Sequence, residues 1–116
     1  MKFIETPPFK KNVKELTKRF RALPAAIEEW KVILAVAPTH YLAQAISGLG
    51  NEIPLPVYKM NVTCHNLIGK RLRLIYTYDA PNETITFIEV YFKGDKENED
   101  QNLITQCFNP TDNNEE

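Results

Sequence analysis

The residues whose types could do chemistry gather in the second half of the chain. Arg71 and Arg73 alternate with Leu72, Leu74 and Tyr76. In an extended strand such alternation puts Leu72, Leu74, Tyr76 and Tyr78 on one face, and Arg71, Arg73 and Thr77 with Ile75 on the other. A guanidinium keeps its charge at physiological pH and grips phosphate oxygens two at a time, so Arg73 is the first candidate for holding a phosphate. Lys59 and Lys93, in the neighbouring strands, are placed to converge with it, although sheet faces also end routinely in solvated lysines. His65, in the loop from Asn61 to Gly69, is of the residue type that can serve as a base near neutral pH.

Other arrangements are poorer. Cys64 and His65 are adjacent, but without a second Cys or His pair they complete no tetrahedral set, and no metal is expected. In an extended segment their side chains point to opposite sides, so His65 does not activate Cys64, which reads as structural. Gly48-Leu49-Gly50 lacks the strand, helix and further glycines of a nucleotide-binding fingerprint. His40 reads as structural or incidental, and Trp30, at helical spacing, as core. No cofactor is expected.

Charge is split along the chain. Residues 1–93 carry 13 Lys and Arg against 8 Asp and Glu, whereas residues 94–116 carry Lys96 against 7 acidic residues. A whole-chain net charge of −1 argues against indiscriminate nucleic-acid binding and leaves room for a local basic surface. The run Val32 to Pro38 is far short of the roughly 20 apolar residues of a membrane span. The N-terminal MKFIETPPFKK has no signal-peptide core, and Cys64 and Cys107 form no framework, so a reducing cytoplasm is the expected location.

The elements that must position these residues follow from periodicity. Thr6 and Pro7 form a helix start, a capping hydroxyl before a ring fixed at helical φ. Phe9, Val13, Leu16 and Phe20 make one apolar stripe, and Pro24 opens a second helix carrying Ile27, Trp30, Ile33 or Leu34, and Ala37 up to Pro38. Prolines and glycines between 38 and 56 read as a connector. Beyond it, 57–64, 71–78 and 84–92 read as an antiparallel meander, with a D-A-P-N turn at 79–82. Residues 2–5 join the sheet edge, and 95–106 form a short helix. The predicted fold is α+β: a two-helix hairpin over residues 7–37, packed on one face of a small antiparallel sheet. Phe9, Leu16, Trp30, Leu72, Leu74 and Tyr76 are the expected core. Residues 1–108 make one domain, and 109–116 a disordered acidic tail.

The meander carries a recognisable pattern: Val57-Tyr58-Lys59, then Gly69 to Tyr76 (GKRLRLIY), then Phe87 to Glu97 (FIEVYFKGDKE). It resembles the RelE/ParE superfamily of type II toxin–antitoxin toxins, including the HigB-like branch, and the lysine-rich opening Phe3 to Phe20 is similar too. The resemblance covers roughly residues 2 to 105 through short motifs. It implies a RelE-like fold, a cognate antitoxin, and, in RelE-like members, metal-independent cleavage of mRNA on the ribosome by attack of a 2′-hydroxyl on the adjacent phosphate. Lys59 and Arg73 match basic positions of the family and Lys93 lies beside the basic positions that end its last strand, with Arg71, Lys70 and Lys96 as RNA-binding residues around them.

Two positions depart from that pattern. Asn61 stands where a second lysine is common, and Asp100 where an aromatic acid is found near the start of the C-terminal helix. His65 and Tyr91 are the residues left to move protons. Two further readings therefore stay open: a weakened or inactive toxin held by its antitoxin, and a ParE-like inhibitor that binds DNA gyrase. Cleavage specificity and oligomeric state are not legible.

Overall fold

The computed structural model describes residues 1–40, 42–50, 53–64 and 71–108. Thr6 starts the first helix as its sequence predicts: its hydroxyl oxygen accepts from the Phe9 amide at 3.3 Å, and it donates to the Phe87 carbonyl at 2.9 Å. One side chain thus caps the helix and ties it to a strand 81 residues away. Helix α1 spans Pro7–Thr17 and α2 Leu23–Val36, the latter closing at Ala37, where the backbone leaves the helical region ahead of Pro38.

Five strands form one sheet in the order β1-β5-β4-β3-β2. They are β1 (Lys2–Glu5), β2 (Ala43–Ala45), β3 (Val57–Val62), β4 (Leu72–Asp79) and β5 (Thr84–Phe92). The predicted meander is β3 to β5, its first strand ending at Val62 rather than at residue 64. The sheet is mixed rather than wholly antiparallel, because β1 runs parallel to β5 after the two-helix crossover. The connector holds a strand that proline and glycine counting hid: β2 pairs through Ala43–Ala45 with Met60–Tyr58.

The hairpin buries its stripe on one sheet face. Phe9, Leu16, Trp30, Leu72, Leu74 and Tyr76 are all buried there, joined by Phe87 and Val90. The rings of Phe9 and Phe87 lie 5.0 Å apart, the Trp30 indole N–H donates to the Thr63 carbonyl at 3.1 Å, and the Tyr76 hydroxyl donates to the Pro38 carbonyl at 2.7 Å. Polar ends of large aromatics are thereby satisfied where they enter the core.

The opposite face differs from the expectation of an open basic surface. A third helix, α3 (Gln101–Phe108), lies on it, and a second core forms from Val57, Ile75, Ile88, Tyr91 and Ile104, flanked by Ile46, Leu49 and Ile53 of the connector. The helices therefore cover both faces. Ile75, placed by parity among the basic residues, is fully buried beneath this cover.

A β-bulge decides what β5 presents to that second face. Ile75 pairs with Glu89 and Tyr76 with Phe87, which leaves Ile88 as an extra residue. Phe87 and Val90 consequently face α1 and α2, while Ile88 and Tyr91 join the α3 side, with Glu89 sharing it opposite Ile75. Beyond Phe87 the edge of β5 away from β4 has no strand partner among the described residues, and the Asn12 side chain and the turn after the strand cover it. Asn12 accepts from the Val90 amide at 3.1 Å, and the Phe92 carbonyl accepts from the Asp95 amide at 2.8 Å.

Candidate functional site

Register brings the predicted residues together from three strands. Arg73 sits opposite Asn61 on β3 and opposite Tyr91 on β5, and Lys59 sits opposite Ile75 one step along the same face. Gln44, opposite Lys59 on β2, extends the row. Together with Leu42, the side chains of Gln44, Lys59, Asn61 and Arg73 line a cleft of about 270 Å³. The cleft offers two cations and two carboxamides, a set that suits an oxyanion carrying several acceptor oxygens.

Arg73 is the residue with unspent capacity. Its Nε is buried without a hydrogen-bond partner, and among the described residues its guanidinium makes no ion pair. Beside it the Tyr91 hydroxyl is likewise buried and unpartnered. Burial first, and then the carboxylates of Glu99 and Glu89, push the Tyr91 phenol up to about 12, against the downward pull of Arg73. Tyr91 thus keeps its proton at physiological pH.

The other cations of the face are engaged. Lys59 Nζ lies 3.3 Å from Glu99 Oε1, a carboxylate delivered by the segment between β5 and α3. Lys96 stands over the Tyr91 ring, 5.0 Å from its centroid, and pairs with Glu89. Glu89 is only 2% exposed, and its other oxygen accepts from the Asp100 amide at 2.9 Å. Buried carboxylates persist when paired and hydrogen-bonded in this way. A further tie, from Arg19 to Asp95 at 2.7 Å, fixes the turn after β5, with the Arg19 guanidinium between the rings of Phe20 and Phe92. The Phe92 ring occupies the place a Cβ on Gly94 would take, so glycine is what lets the chain turn there.

Tyr91 and Lys96 line a separate hollow beside Asn12 and Arg19 rather than the cleft, and Lys93 and Arg71 do not line the cleft either. Lys93 and Arg71 are exposed just outside their strands, the Lys93 amide donating to the Arg71 carbonyl at 3.0 Å. His65 and Lys70 lie outside the described residues. Sequence reasoning did not single out Gln44, Glu89 or Glu99. Glu89 had a signal, a lone carboxylate inside the apolar run Ile85 to Phe92. Glu99 had none, because its importance comes from a contact across 40 residues. Among the described residues no group of His, Cys, Asp and Glu could hold a metal ion, and no helix is long and apolar enough to cross a membrane.

Comparison with known proteins finds no matching family model and no matching curated protein.

Proposed function

We propose that the chain is the toxin of a type II toxin–antitoxin pair, a RelE-like endoribonuclease that cuts mRNA on the ribosome. The observation that carries this reading is the cleft in which Arg73, with its buried and unpartnered Nε, stands beside Lys59, Asn61 and Gln44. In the reaction the 2′-oxygen attacks phosphorus, the bond to the 5′-oxygen breaks, and a 2′,3′-cyclic phosphate forms. Arg73 and Lys59 stabilise the charge that builds on the pentacoordinate phosphorus. The 2′-hydroxyl proton passes to water or to His65, and the leaving 5′-oxygen takes a proton from water or, once its buried hydroxyl is uncovered, from Tyr91. The antitoxin we infer is an apolar chain that covers the outer stripe of α2, where Val32 and Val36 are 68% and 84% exposed. Free Cys64 and Cys107 accord with a cytoplasmic location.

A second reading, a RelE-like protein held by an antitoxin with little or no cleavage, is favoured by the engagement of Lys59 with Glu99 and of Lys96 with Glu89. Expression of the chain alone separates the two. An active toxin stops incorporation of labelled amino acids and leaves mRNA cut within ribosome-bound codons. Unimpaired growth with abundant folded protein supports the second reading, and damaged DNA topology with intact protein synthesis points instead to gyrase.

A further inference from the structure

We propose that Glu99 is a built-in competitor for the anion site: its carboxylate holds Lys59 in place of a phosphate, so an RNA backbone engages the full cation pair only by displacing it. The inference rests on the reading of the cleft as an RNA-phosphate site and concerns how that site is regulated.

Three features support it. The contact is specific and sheltered, with Glu99 Oε1 at 3.3 Å from Lys59 Nζ and side-chain exposures of 9% and 22%. Glu99 comes from outside the site. Lys59 and Arg73 belong to adjacent strands of the sheet, whereas Glu99 lies in the return segment, residues 93–100 between β5 and α3, which carries Asp95, Glu97, Glu99 and Asp100 against Lys93 and Lys96. The segment is also tethered on either side of Glu99, by Arg19 to Asp95 and Lys96 to Glu89 before it, and by the Asp100 amide to Glu89 and the buried Ile104 after it. These ties hold an acidic strand of chain beside a cation that lines the cleft. An ammonium has three donors, so Lys59 can release Glu99 to a stronger anion without leaving its strand.

The test compares the full-length chain with Glu99→Gln, which keeps the side chain's size and hydrogen bonding, and with Glu97→Gln as an exposed control. Affinity for a single-stranded oligoribonucleotide is measured against salt, and acylation of Lys59 by a succinimidyl ester is followed by peptide mass spectrometry. Glu99→Gln should bind about 5-fold tighter, the ratio equivalent to about 1 kcal/mol for a partly exposed ion pair. Its plot of log affinity against log salt should steepen by about 0.7, one more phosphate neutralised on a single strand. Lys59 should acylate several-fold faster, and Glu97→Gln should change none of these. In a Lys59→Met background the Glu99→Gln gain should vanish, which guards against an effect through altered folding.

Unchanged Lys59 acylation in Glu99→Gln overturns the proposal. So does RNA binding that depends on Arg73 but is insensitive to Glu99→Gln. Faster acylation with equally weak RNA binding by wild type, Glu99→Gln and Arg73→Ala upholds the masking of Lys59 and overturns the RNA reading of the cleft.

Discussion

Replacing Lys96 by Met removes the ammonium that pairs with Glu89 and stands over the Tyr91 ring, while keeping most of the side chain's length. It leaves Glu89, 2% exposed, with one hydrogen bond from the Asp100 amide and no cation. Removing one partner of a fully buried pair costs about 3 to 5 kcal/mol, because the remaining charge is stranded. Here Lys96 is 39% exposed, so water reaches the outer oxygen of Glu89 once the ammonium is gone. The expected loss is therefore smaller, about 1 to 3 kcal/mol. Urea melts at pH 7 measure it directly, and each kcal/mol should lower Tm by about 4 to 8 °C for a domain near this size. Adding Glu89→Leu to Lys96→Met should recover part of the loss, since the stranded charge disappears and apolar burial replaces it. A Lys96→Met loss below about 0.5 kcal/mol would show that the pair does not anchor the return segment, and the argument for its fixed position over Tyr91 would fail.

Leu74, on β4, is fully buried in the core that the two-helix hairpin covers, so Leu74→Ala should cost about 2 to 5 kcal/mol in denaturant melts through lost burial and a residual cavity. At alkaline pH the raised Tyr91 phenol means the folded chain holds a proton that the unfolded chain, titrating near 10, has lost. Stability should therefore fall as pH rises between about 10 and 12, and the Tyr91→Phe variant should lose less across that window in pH-dependent melts. Gly94→Ala forces the Phe92 ring to move and should destabilise the chain by about 1 to 3 kcal/mol, read by thermal melts.

The helix-facing half of the protein was legible because its signals are local. A capping Thr6, Pro7 and the stripe from Phe9 to Phe20 each act within a turn or two, and the alternation of Leu72, Leu74 and Tyr76 fixes which side of β4 meets the helices. The second face was not legible to the same degree. Strict alternation cannot anticipate the bulge at Ile88, which turns Glu89 and Tyr91 toward α3, and β2 owes its pairing to β3 rather than to its own Ala-Gln-Ala sequence. Arg73 and Lys59 fall in one cleft as strand parity implies. Lys93 does not, because β5 ends at Phe92 and the chain turns at Gly94. The acidic segment that sequence charge counting set apart from the basic face lies against it, a long-range contact that composition cannot express.

The most direct test of the account is single-turnover cleavage of mRNA on programmed ribosomes by wild type and Arg73→Ala. Arg73 projects to the face opposite the main core and makes no ion pair among the described residues, so the substitution should leave Tm nearly unchanged. The cleavage rate should fall about 100-fold or more, the scale for losing one preorganised transition-state donor. Equal rates for the two proteins would contradict the assignment of this cleft as the catalytic site.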